Sequence, residues 1–74
     1  MDYYRFMYPL SELDQAALRL GESRAQVEAE EERVALAKRR GEDTGALEKR
    51  LGRLKESLRL HQEHYDTLLS EPRR

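Results

Sequence analysis

Cysteine is absent from the chain, which excludes disulfide staples and thiolate metal sites and leaves the redox compartment open. Tryptophan and isoleucine are absent too, and the β-branched residues are Val27, Val34, Thr44 and Thr67 alone. That leaves little material for strands. Proline occurs twice, at Pro9 and Pro72, so no proline interrupts a helix over the long stretch between them. No apolar run approaches the length of a membrane span. Neither sign of charge dominates, because 14 basic residues offset 15 acidic ones. A dedicated binder of nucleic acid or anionic lipid normally carries a basic excess. The opening residues, with Asp2, lack the basic-then-apolar order of a secretion signal. A cytoplasmic protein is therefore expected.

What is present is helix material. Glu, Arg, Leu and Ala dominate, and charged residues (39%) match apolar ones (38%). Half-buried helices have that balance, whereas an enclosed globule does not. Seventy-four residues make one domain at most and have difficulty building a self-sufficient core.

Stop and start signals divide the chain. Helix 1 is expected over about residues 10–40, beginning near Pro9 or with Ser11 as an alternative N-cap, and with Glu12 and Asp14 in its first turn. Lys38, Arg39 and Arg40 suit its C-terminal end, and Gly41 suits a left-handed cap. A turn at 41–44 follows, with Asp43 or Thr44 capping helix 2. Helix 2 is expected to run over about 44–70, before Pro72 and a disordered tail at 71–74. Residues 1–9 form a separate aromatic segment, acting as an interaction hook or as a cap. So short a connection between long helices makes them antiparallel neighbours.

Apolar spacing supports the hairpin. Leu47, Leu51, Leu54, Leu58, His61, Tyr65 and Leu68 alternate steps of four and three, and Leu13, Leu20, Val27 and Val34 recur every seven residues. This is a coiled-coil seam, rich in helix 2 and diluted in helix 1. Between the helix 1 residues lie either Ala17, Arg24 and Glu31 or, one residue earlier, Ala16, Ser23 and Glu30. Folding at 41–44 sets Leu51 against Val34, Leu58 against Val27 and Tyr65 against Leu20. It also lays Glu28, Glu30, Glu31 and Glu32 beside Lys49, Arg50, Arg53 and Lys55, a pattern that penalises slipped registers. The expected fold is all-α: an antiparallel two-helix coiled-coil hairpin, completed as a four-helix bundle by dimerisation or by a partner protein.

That completion is expected because two helices leave each seam open to water on two sides. Leu18, Ala25, Ala29 and Leu36 make a second stripe on helix 1, roughly 100–150° from the seam, and Leu60 and Leu69 lie off the seam of helix 2. Helices with two apolar faces generally contact two things. Four of the five aromatics crowd the first eight residues. Tyr3, Tyr4, Phe6, Met7 and Tyr8, with Arg5, are residue types enriched at interface hot spots. The expected partner-binding residues are therefore Tyr3, Tyr4, Phe6, Met7, Tyr8, Leu18, Leu36 and Leu60.

Other chemistry is weaker. His61 and His64 share a helical face at a spacing that suits a divalent ion, but the Glu-x-x-His unit of carboxylate-bridged bundles is missing. His61 reads better as a polar seam residue. No metal or cofactor is expected, and no nucleophile–base pair or phosphate loop suggests catalysis. Arg24 and Glu31 read as seam-edge residues whose stems cover Leu54 and Leu58. Gly21 and Gly52 read as sites of close helix approach or bending. Lys38, Arg39, Arg40, Lys49, Arg50 and Arg53 make a basic tip, which carries the alternative reading of a nucleic-acid-contacting arm. The outline is similar in shape to small co-chaperones of type III secretion needle subunits, to small phage regulators and to the tRNA-binding arm of seryl-tRNA synthetases. The shared features are heptads and a Gly-containing turn, here Arg40-Gly41-Glu42-Asp43. These belong to any helical hairpin, so no site residue carries over. The function expected is that of a non-enzymatic protein-binding module: an adaptor, co-chaperone or small regulatory inhibitor.

Overall fold

The structure is a computed structural model and describes residues 11–71. These form two helices that pack on each other, α1 (Glu12–Arg39) and α2 (Gly45–Ser70). Neither is long and apolar enough to cross a membrane.

The ends of α1 follow from its terminal residues. Ser11 is the N-cap, its extended backbone turning the chain into the helix while its hydroxyl accepts from the Asp14 N–H at 3.1 Å. One of the four unpaired N–H groups of the first turn is thereby satisfied. The helix thus starts at Glu12 and not nearer Pro9, because the serine supplies an acceptor that proline lacks. At the other end Gly41 takes φ +70°. Its N–H bonds the Lys38 carbonyl at 3.1 Å and the Glu42 N–H bonds the Ala37 carbonyl at 2.9 Å. This pair of bonds is the Schellman arrangement, and it stops the helix on a residue without a Cβ.

The chain then reverses through Glu42–Thr44. Asp43 Oδ1 accepts from the Gly45 N–H at 2.9 Å, whereas Thr44 makes no side-chain cap bond. Asp43 therefore does the capping chemistry for α2, from one residue outside the formal cap position.

The seam between the helices is lopsided. On α1 it comprises Ala16, Leu20, Ser23, Val27, Glu30, Val34 and Ala37, all buried, in alternating steps of four and three. On α2 no residue is buried, and Leu47, Leu51, Leu54, Leu58, His61, Tyr65 and Leu68 are all half-buried. Side-chain size accounts for much of the difference. Five of the seven α1 seam residues (Ala16, Ser23, Val27, Val34, Ala37) are small and disappear beneath the large side chains of α2, but they do not cover the flanks of a leucine in return. Leu13, a seam position by heptad spacing, is only half-buried near the open end of the hairpin.

Two adjacent rows were candidates to complete the α1 seam, and the structure selects Ala16, Ser23 and Glu30. Arg24 and Glu31 are exposed, and each reaches across to α2 from the rim. Arg24 Nη2 donates to Gln62 Oε1 at 3.0 Å, and Lys55 Nζ lies 3.7 Å from Glu31 Oε2. Their part is polar bridging at the rim. The expected opposition of charge runs is made in part. Glu30 pairs with Arg50 and Glu31 with Lys55, and Lys38 pairs with Glu48 at 3.4 Å outside those runs. Among the described residues Glu28, Glu32, Lys49 and Arg53 form no ion pair, because they stand on outward-facing positions. Gly21 and Gly52 also turn outward. A Cβ at either meets nothing within 4 Å, so close packing inside the hairpin does not explain them.

Candidate interaction surfaces

Choosing the Ala16–Ser23–Glu30 row rotates the seam away from the second stripe. At about 100° per residue, Leu18, Ala25, Ala29 and Leu36 centre roughly 200° round the helix from Ala16. They form the back of α1, opposite α2, and not a neighbouring face. All four are exposed. Leu18 keeps 56% of its surface accessible and Leu36 44%, although leucine in a finished core keeps almost none. Gly21 joins the same face between Leu18 and Ala25.

Leu60 is likewise exposed, on the outer side of α2. Leu69, also exposed, lies along the edge of the α2 seam near the open end of the hairpin. Tyr3, Tyr4, Phe6, Met7 and Tyr8 lie outside the described residues.

Among the described residues the one buried charge is Glu30, whose accessible surface is 1%. Its Oε1 accepts from Arg33 Nη1, one turn further along α1, at 2.8 Å and lies 3.4 Å from Arg50 Nε across the seam. Its Oε2 is buried without a hydrogen-bond partner. The two arginines keep 62% and 60% of their side-chain surfaces exposed, so one carboxylate is desolvated while its counter-charges stay hydrated. Such a group costs stability wherever its attraction to the cations falls short of its lost hydration. It also makes register errors expensive, because a slipped α2 strands the carboxylate without Arg50. The alternative row was distinguishable in the sequence: continued to the next turn it reads Ala17, Arg24, Glu31, Lys38, with three charges. The row that forms reads Ala16, Ser23, Glu30, Ala37, with one.

The hairpin tip is partly neutralised. Lys38 is engaged by Glu48 and Arg50 by Glu30, which leaves Arg39, Arg40, Lys49 and Arg53 as exposed cations beside Glu42 and Asp43. On the outer side of α2, Arg59 bonds both Glu56 and Glu63. The hydrogen bond from Arg59, and then its charge, hold the Glu56 carboxyl below its ordinary range, and the same contacts raise Arg59. His61 is half-buried at the seam and His64 exposed. Among the described residues no three His, Cys, Asp or Glu side chains gather in a metal-binding group.

The chain matches no protein-family model, no curated protein and no solved structure.

Proposed function

We propose that this chain is a non-enzymatic protein-binding module that acts by helix packing. The observation that carries the reading is the back of α1: two exposed leucines and a run of small residues on the side that α2 does not reach. The hairpin has spent its inner faces on itself, and this face has no use within it. The half-open leucine row of α2 adds apolar surface that a further helix would cover. Completion by a second copy or by a helical partner gives a four-helix arrangement. The aromatic segment at residues 3–8 supplies a second set of contacts. Adaptor, co-chaperone and small inhibitor are the roles that suit such a module, and the cytoplasm is its expected compartment.

The test removes the face and keeps the hairpin. Changing Leu18 and Leu36 to glutamate, with residues 1–8 deleted, abolishes association while the far-UV helical signal persists. Associations that survive all of these changes contradict the reading. A nucleic-acid arm using the basic tip is the competing class. Its signature is affinity that falls steeply with salt and with neutralisation of Arg39, Arg40 and Lys49.

A further inference from the structure

The back of α1 is a palindrome, and its symmetry identifies its occupant. Leu18 and Leu36 are equidistant from Val27 along the chain, and so are Ala25 and Ala29. All four are exposed on one face, which spans about 27 Å from Leu18 to Leu36 at 1.5 Å per residue. We infer that this face pairs with the same face of a second copy, antiparallel, about a two-fold axis level with Val27. The inference rests on the protein-binding reading above and names the partner.

Three features of the face fit a second copy in this register. The first is the order of sizes. Helices crossing at an angle approach closest at the crossing point and diverge towards their ends. Here the small residues Ala25 and Ala29 are central, and the leucines are terminal. Leu18 of one copy then meets Leu36 of the other, and Ala25 meets Ala29. Gly21, with open space where a Cβ would stand, lies beside this contact.

The second feature is charge. In a two-fold antiparallel pair, each flank of the stripe meets the same flank of the other copy. On one flank Asp14 falls within one residue, about 1.5 Å, of level with Arg39 of the second copy. On the other, Glu22 falls within one residue, about 1.5 Å, of level with Arg33 of the second copy. Symmetry doubles both, so four opposite-charge pairs frame the apolar strip. Glu22 and Glu32 fall level in this register, but they stand on opposite flanks of the stripe and do not meet. Among the described residues Asp14, Glu22 and Arg39 form no ion pair, and Arg33 is 62% exposed despite its bond to Glu30.

The third is the type of symmetry. A closed two-fold contact requires a patch that is complementary to itself. A partner of unrelated sequence requires no such palindrome. The resulting assembly is four helices in the order α2–α1–α1–α2, with the paired α1 helices at its centre.

Because the chain has no cysteine, the register is directly testable by disulfide trapping. Full-length Ala25→Cys and Ala29→Cys variants are mixed in equal amounts and oxidised, and the products are separated by mass. The inference expects the mixed Ala25→Cys/Ala29→Cys disulfide to dominate over both like-with-like products. Predominant Ala25–Ala25 disulfides, an even mixture or no disulfide overturns it. Sedimentation of the cysteine-free chain accompanies the test. A dimer whose trapping shows another register overturns this inference and leaves the protein-binding reading standing. A chain that is monomeric at every concentration also overturns it, and the association test given for that reading then decides that reading separately. A charge exchange guards against misfolded variants. Asp14→Arg alone weakens dimerisation roughly tenfold, since two symmetry-related exposed pairs are reversed at once. Adding Arg39→Asp restores it, and failure of that rescue in a double variant whose far-UV helical signal is unchanged counts against the register.

Discussion

Glu30 and two glycines show most clearly what single residues contribute. Glu30 is a desolvated carboxylate with one oxygen unpartnered, held by arginines that are themselves mostly in water. Replacing a buried charge by an apolar residue of similar size is often neutral or stabilising, unless the partner cations are left stranded. Here they are not stranded. Glu30→Leu is therefore expected to stabilise the hairpin by about 1 kcal/mol or more, read as a higher urea midpoint. A lower midpoint shows that the ion pairs outweigh the desolvation. Gly41 and Gly52 make an opposed pair. Gly52 sits in the interior of a helix with open space at its Cβ position, so Gly52→Ala gains about 1 kcal/mol from helix propensity. Gly41 is left-handed at φ +70°, so Gly41→Ala loses about 1 kcal/mol. Equal effects at the two positions contradict the cap. Glu56 gives a pH signature with a definite sign. Arg59 depresses its carboxyl in the folded chain, so the stabilisation is present above the ordinary carboxylate range and is lost as pH falls through the lowered value. Arg59→Gln moves the Glu56 titration upward, as followed by side-chain NMR. Because Glu56 is fully exposed, the accompanying change in stability is small.

At the scale of helices, much of the fold was legible in the sequence. Gly41 after three basic residues marks the left-handed stop, and the structure completes it with two Schellman bonds. Ser11 with acidic residues after it marks the start, although Pro9 competed for that role. Ser11→Ala is expected to cost about 1 kcal/mol and to fray the first turn, seen as lost amide protection near Asp14. Antiparallel pairing follows from the short turn and the matched heptads. The choice between two neighbouring rows on α1 was harder, because they differ by one residue and each contains a glutamate at its centre. Counting charges one turn further on, at Ala37 against Lys38, separates them. That choice then fixes where the second stripe points, so an error of one residue there displaces a whole candidate site. Half-burial along α2 was less legible still. It depends on the sizes of the opposing α1 residues, which a periodicity reading of α2 alone does not weigh. Exposure at Gly21 and Gly52 likewise required coordinates, since helical glycines serve close approach and open surface alike.

The whole molecule is a hairpin whose two sides are finished to different degrees. The inner face of α1 is closed, the seam of α2 is half-closed, and the back of α1 carries apolar residues that nothing among the described residues covers. Three cross-helix ion pairs stand along the seam, and their exposed members contribute tenths of a kcal/mol each. Salt concentration is accordingly expected to shift the unfolding midpoint little, whereas protein concentration shifts it markedly if folding and association are linked. Sedimentation equilibrium of the full chain, compared with the Leu18→Glu/Leu36→Glu variant, tests the central claim most directly. The account predicts a concentration-dependent dimer for the natural sequence and a helical monomer for the variant. A natural chain that is monomeric, fully helical and indifferent to both substitutions contradicts it.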